Sequence, residues 1–257
     1  MKRLFFILFS ILGIHTAQAE CGMSGMQFYP IQKEIGLNSL FILEGYAMSQ
    51  KTVVSFKDRK IYLESDKGEE VELELLEVYE GQMNLTQAVF RPKSKLKPNT
   101  LYRPKYENET ERESLEMKRW NDEIKENEKV EWRTSRAKVS KLNRKLGLEF
   151  EKNELNHYGC GPASYAVFDI INADESEAWF KTEVVEIETN TLTTFYLFER
   201  MGNVEVGHDM CSGGFKFKDS HKYKVRFTAM NSDGDPLETT DWVEFDSPYQ
   251  KMKNPFF

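Results

Sequence analysis

Apolar residues along this chain come in short bursts separated by turn residues, and few stretches of ten or more keep a 3.6-residue period. Strands are therefore expected to dominate. In residues 70–75, Val71, Leu73 and Leu75 alternate with Glu70, Glu72 and Glu74, which puts one face against a core and the other in water. Residues 60–64 read as a shorter strand, joined to that one by the turn Ser65-Asp66-Lys67-Gly68. Pro92 and Pro98 fall at strand ends, since proline cannot donate to an interior ladder. Tyr223, Val225, Phe227 and Ala229 alternate with Lys224, Arg226 and Thr228 ahead of a reversal at 231–236. Further strands are expected at 164–171, 178–187, 191–198, 214–217 and 242–245.

Short strands at regular spacing indicate two-sheet sandwiches, with a continuous β-barrel as the competing architecture. Residues 107–145 carry dense alternating charge, with Leu115, Met117, Trp120, Ile124, Val130 and Trp132 as the only anchors. A helix over 111–126 would have a poor apolar stripe, so the expected course is a last strand of the first domain and then an exposed connection. The expected division is a first β-sandwich at 20–125, a second at 126–250 and a tail at 251–257. The fold class is all-β.

Residues 1–19 change the picture of location. Lys2 and Arg3, an apolar run at 4–14 and the small-x-small site Ala17-Gln18-Ala19 have the form of a secretory signal peptide. That run is too short for a stable membrane anchor, and no later segment reaches the required length. Export is expected, to the periplasm, the cell surface or the medium. Glu20 argues against lipid attachment at Cys21, and in an export route of bacterial type the sequons at Asn84 and Asn108 carry no sugar. Removing 19 of the 257 residues moves the formal charge from -7 to -9, because Lys2 and Arg3 leave with them. An acidic chain lacks the surplus of positive charge that nucleic-acid binding needs.

Two stretches resemble known modules. The first, Leu40-Phe41-Ile42-Leu43-Glu44-Gly45-Tyr46 with Phe90-Arg91-Pro92 and Leu96-Lys97-Pro98-Asn99-Thr100-Leu101-Tyr102, resembles a bacterial immunoglobulin-like domain of the S-layer-associated type, whose late strands carry a comparable proline, leucine and tyrosine pattern. The second, 130–248, is similar to a fibronectin type III module of secreted bacterial proteins. The resemblance implies spacer, adhesion or accessory roles and carries over no catalytic residue.

Candidate chemistry gathers at two echoing segments, His157-Tyr158-Gly159-Cys160 and His208-Asp209-Met210-Cys211. In an exported chain a disulfide between Cys160 and Cys211 is the expected outcome. The alternative is a zinc or copper site using His157, Cys160, His208 and Cys211, since two imidazoles and two thiolates suit either metal. With three cysteines in all, Cys21 competes as a partner for either thiol. A nucleophile-base pair can be drawn from Ser212 with His208, or Cys211 with His157, with Asp209 orienting an imidazole. No hydrolase, zinc-protease, phosphate-loop or dinucleotide motif supports one. The four tryptophans, 120, 132, 179 and 242, read as core or boundary anchors, and the oxygen-rich run 231–235 reads first as a turn. The expected function is a noncatalytic exported spacer, adhesion or protein-interaction module without cofactor, whose partner is an extracytoplasmic protein or cell-surface component. A metal-binding protein is the alternative and a hydrolase of unknown substrate the third reading.

Overall fold

The structure is a computed structural model that describes residues 24–121, 124–136 and 141–251. The expected signal peptide, Cys21 and all of the expected tail but Lys251 lie outside the described residues. The first sandwich begins with β1 (Gly25–Tyr29), β2 (Glu34–Ile35) and β3 (Phe41–Tyr46), then a short helix α1 (Gln50–Ser55). It continues through β4 (Ile61–Ser65), β5 (Glu70–Glu80), β6 (Leu85–Pro92) and β7 (Leu101–Tyr106) to a second short helix α2 (Glu111–Glu116). A hairpin of β8 (Lys118–Asn121) and β9 (Glu126–Lys129) precedes β10 (Trp132–Thr134).

Eight of these strands form one sheet in the order β1-β3-β6-β5-β4-β7-β10-β2. Its two edge strands, β1 and β2, are neighbours in sequence, and the chain from Tyr29 to Glu34 reaches at most about 17 Å. The sheet must therefore fold over on itself, with β1-β3-β6-β5 facing β4-β7-β10-β2. This is the immunoglobulin arrangement, in which the first strand is split between the two layers. β1 pairs antiparallel with β3, and β2 pairs parallel with β10. Phe41, Leu43, Leu63, Leu73, Phe90, Tyr102 and Trp132 fill the space between the layers.

Trp132 corrects the expected boundary at 125/126. It is 1% exposed, packs edge-on to Phe41 at 4.8 Å, and donates from Nε1 to Pro30 O at 2.8 Å. Its strand pairs with β7 through Trp132 and Tyr102, so the chain does not leave the first sandwich until after Thr134. The strand and exposed connection expected before it are also corrected. Thr110 and Glu113 close a capping box that nucleates α2, and Arg59 grips the Glu113 carboxylate at 2.6 and 3.2 Å. Burial works to raise that carboxyl, but the Arg59 fork and the Thr110 bonds outweigh it and hold it at about 2.

The second sandwich comprises β11 (Gly147–Tyr158), β12 (Gly161–Ile171), β13 (Trp179–Glu186), β14 (Thr191–Phe198), β15 (Asn203–His208), β16 (Lys222–Met230) and β17 (Val243–Asp246). Its sheets run β11-β12-β15 and β14-β13-β16-β17, closing over Phe168, Phe180, Phe195, Val206, Val225 and Phe227. The pattern expected for 223–229 holds residue by residue, with Tyr223, Val225, Phe227 and Ala229 buried. The strand expected at 214–217 does not form. Phe215 and Phe217 do enter the core, but the backbone bonds of this segment are divided between Gln82 of the first sandwich and Gly207 of β15, and no ladder forms. Among the described residues no helix is long and apolar enough to cross a membrane.

Replacing Trp132 with alanine should lower the stability of the first sandwich by about 3–5 kcal/mol in urea denaturation. A loss below about 1 kcal/mol would show that β10 is not part of that core.

Candidate functional site

The residues singled out from the sequence do not assemble into one site. His157 is exposed on β11, opposite Pro162. Cys160, at the tip of the β11–β12 hairpin, is a free cysteine, so the expected Cys160–Cys211 bond is not formed. Cys211 is disulfide-bonded and does not titrate, which removes its thiolate from any metal set. His208 is buried at the end of β15, where its Nδ1 lies 2.7 Å from Asp209 O. Desolvation depresses its pKa, the direction that keeps the imidazole neutral. Asp209 does not orient that ring, because its Oδ1 accepts from the backbone of both Cys211 and Ser212 at 2.6 Å, as an Asx turn does.

A cluster that sequence reading passed over lies at one end of the second sandwich. Glu186, Glu188 and His221 bring one donor atom each within 4.8 Å, the kind of set a divalent cation takes. Lys218 already supplies the positive charge, lying 2.8 and 2.9 Å from the two Glu186 oxygens, while His221 Nδ1 lies 2.6 Å from the nearer one. Burial pushes the Glu186 carboxyl up, but bonds from Lys218, Thr189 and His221 bring it below its usual range. Lys218 thus offsets the charge of Glu186, one of the two carboxylates of the group. Trp132 and Trp179 are fully buried, whereas Trp120 is 55% exposed and Trp242 lies beneath the cations of Lys224 and Arg226 at 5.0 and 4.6 Å.

The most developed polar constellation lies between the sandwiches. Along β3 and β6 the side chains alternate between two buried faces: Phe41, Leu43, Ala88 and Phe90 enter the first core, while Ile42, Glu44, Gln87 and Val89 face the second sandwich. A bulge in β5 between Leu75 and Glu77 shifts the alternation, so that Val78 stays on the first core and Leu76 and Tyr79 reach the junction. There they meet Trp179, Tyr196, Phe198 and Met230, and Tyr29 stacks on Phe198 with centroids 3.4 Å apart.

Polar contacts hold both ends of this apolar seam. Glu177 accepts from the backbone N–H groups of Ile31 and Gln32, each at 2.9 Å, and from Trp179 Nε1 at 2.8 Å. The turn at 231–235 docks rather than binding an ion: Ser232 O accepts from Leu40 N at 2.7 Å, and Asp233 Oδ1 accepts from the Ser39 hydroxyl at 2.8 Å. At the far end the β5–β6 hairpin tip builds a bridge of its own, with Met83 and Gly213 exchanging backbone bonds of 3.1 and 2.7 Å. Gly81 is required there, since a Cβ would come within 2.8 Å of Gly213 O.

Gln87 sits in the middle and is fully buried. Its Nε2 donates to Glu44 Oε2 at 2.7 Å and to Tyr196 O at 2.8 Å, and its Oε1 accepts from Tyr196 N at 3.0 Å. The carboxamide thus serves the β14 edge as a neighbouring strand would. Burial raises the Glu44 carboxyl to about 7 against the lowering effect of the Gln87 bond. This arrangement joins two sandwiches; it presents no reacting atom to solvent.

No family model and no curated protein matches this chain. Among solved structures it is similar to a pullulanase from Anoxybacillus sp. LM18-11, solved with maltotriose, at 10% identity and TM-score 0.25, over 82% of this chain and 24% of that one. A cytokine receptor complex aligns at 7% identity and TM-score 0.27, covering 88% of this chain and 97% of that one. The adhesin InvE of Yersinia pseudotuberculosis aligns at 12% identity and TM-score 0.20, covering 86% and 58%. The chain spans about a quarter of the pullulanase. At these TM-scores the likenesses carry no argument about activity or partners.

Glu44 makes stability depend on pH. Its folded pKa, about 7, lies above the ordinary 4.5, so between those values the folded chain holds a proton that the unfolded chain has lost. Stability then falls as pH rises through that window, by on the order of 3 kcal/mol once pH passes 7. Glu44→Gln removes this titration, so its stability relative to the unsubstituted protein should rise by about that amount between pH 4.5 and pH 8. Parallel unfolding curves for the two proteins across that range would contradict the buried carboxyl.

Proposed function

We propose that the chain is a noncatalytic, exported interaction module whose two sandwiches act as a single rigid body. The observation that carries this reading is the junction itself. Its apolar seam is continuous, its buried polar groups find partners across the two halves, and it is bonded at both ends, which is more than a flexible string of spacer domains requires. A rigid pair holds its exposed loops at fixed spacing, which is what a binding or positioning role asks of a scaffold.

The partner is an extracytoplasmic protein or cell-surface component carrying positive charge. At the mouth of the junction a cleft of about 270 Å³ is lined by Asp174, Glu175, Glu177 and Glu199 beside Ile31 and Phe198, with no lysine, arginine or histidine in the lining. Glu177 is occupied in holding the junction, whereas Glu175 and Glu199 project at the surface. The acidic net charge of the chain acts in the same direction.

The reading is tested by saturable association of the purified chain with cell-envelope preparations of the producing organism, measured against ionic strength. Association should weaken as salt is raised and fall at least tenfold when Glu175 and Glu199 are both replaced by lysine, with thermal stability unchanged. Absence of association, or association indifferent to the double substitution, would overturn it.

A further inference from the structure

At one end of the second sandwich, side chains of two separate segments bring two carboxylates and an imidazole together, and Lys218 offsets only one of the carboxylates. We propose that Glu186, Glu188 and His221 form a zinc site that fastens the β13–β14 hairpin to the segment entering β16. The site lies apart from the junction, and the proposed binding role does not require it.

The backbone fixes both segments. Glu186 ends β13, opposite Thr191 of β14 and Tyr223 of β16, and Glu188 stands in the turn that follows. Ile187 N donates to Lys222 O at 2.9 Å, which ties that turn to the start of β16. His221, the residue before β16, donates from its backbone N to Lys218 O at 3.4 Å and accepts at its O from Ser247 N at 2.9 Å. The carboxylates are oriented in turn. Glu186 Oε2 accepts from the Thr189 hydroxyl at 2.9 Å, and Glu188 Oε1 accepts from Lys222 N at 2.8 Å. Each carboxylate therefore has one anchored oxygen and turns the other to the same imidazole nitrogen. His221 Nδ1 lies 2.6 Å from Glu186 Oε1 and 3.6 Å from Glu188 Oε2. Outer hydrogen bonds of this kind orient the ligands of a metal before it arrives.

The donor set selects the metal. One imidazole with two carboxylates suits zinc, whereas calcium and magnesium take oxygen ligands. Zinc bonds of about 2.0–2.1 Å in a tetrahedron place neighbouring donors about 3.3 Å apart. Nδ1 and Glu186 Oε1 therefore part by about 0.7 Å, and Glu188 moves in from an exposed turn. The 2.6 Å contact holds a hydrogen between imidazole and carboxylate, which zinc replaces and releases as a proton. Zinc also displaces the Lys218 ammonium from Glu186. The lysine side chain is 57% exposed and that of Glu186 12%, so the lysine swings into water while the carboxylate stays. Three protein ligands leave a fourth position for water, and a cavity of about 210 Å³ lined by Glu186, Thr189, Lys218 and Tyr223 adjoins the cluster.

The test is a zinc titration of the full chain, stripped with a chelator and read by competition with a chromophoric zinc indicator. One equivalent should bind and raise the melting temperature. His221→Ala and Glu188→Gln should each weaken binding at least about tenfold. Glu188 lies on an exposed turn, so its substitution leaves the fold intact and reads the site alone. Lys218→Ala should tighten binding, because a competing cation is gone. A chain carrying both His157→Ala and Cys160→Ser should bind zinc like the unsubstituted protein. Absence of binding, affinity indifferent to His221→Ala and Glu188→Gln, or loss of binding in the His157, Cys160 variant would overturn the proposal. So would displacement of zinc by equimolar calcium, or a Lys218→Ala chain that binds no more tightly.

Discussion

A carboxamide withdrawn from water must find partners for its donor hydrogens and its oxygen, and Gln87 finds them on both sides of the junction. Its two donor bonds go to Glu44 in its own sandwich and Tyr196 in the other, and its oxygen takes the Tyr196 N–H. Moving the sandwiches apart would take from Gln87 its Tyr196 partners on both the donor and the acceptor side and leave both Tyr196 backbone groups of an edge strand without theirs. An unpaired buried polar group costs about 1–3 kcal/mol, so these contacts set the geometry even though each satisfied bond contributes little net stability. The apolar seam provides affinity, and Gln87 fixes the register in which the seam closes.

The same constraint explains how the first sandwich is shaped. Strands buried on both faces cannot alternate between apolar and polar residues, and β3 reads Phe41-Ile42-Leu43 with all three buried. The bulge in β5 and the glycine at position 81 let the β5–β6 hairpin lie against the segment around Gly213, where an ordinary strand would have diverged. The β14 edge, which would otherwise offer unpaired backbone groups, is covered by side chains of its neighbour. Glu44 is the weak element, a carboxyl kept where its charge is unfavourable near neutral pH.

Much of the fold was legible because its signals are local. The alternation at 223–229 and at 70–75, the turn ending at Gly68 and the division into two sandwiches follow from periodicity and turn chemistry. β11 was not legible: it is an edge strand rich in Glu, Lys and Asn, and such residues protect an edge while erasing the apolar pattern that marks a strand. The Thr110–Glu113 capping box was present in the sequence and was outweighed by the poor stripe that follows it. Trp132 was placed past the boundary because a three-residue strand among charges gives almost no periodic signal. The junction was hidden for a different reason. Leu40 to Leu43 announce two buried faces, but only the assembled fold shows what covers the second one. The paired His-x-x-Cys segments misled because sequence echo carries no distance: one imidazole is exposed, the other is turned to a neighbouring carbonyl, and Cys160 stays free.

The measurement that most directly tests the rigid pairing is amide hydrogen exchange at Tyr196, Leu40 and Met83, whose N–H groups bond across the junction. Protection at these three amides should match that of β6 and β13, because opening the junction would require the same large-scale unfolding. Exchange near the rate of exposed loops, with β6 and β13 still protected, would show two sandwiches that move independently and would contradict the account.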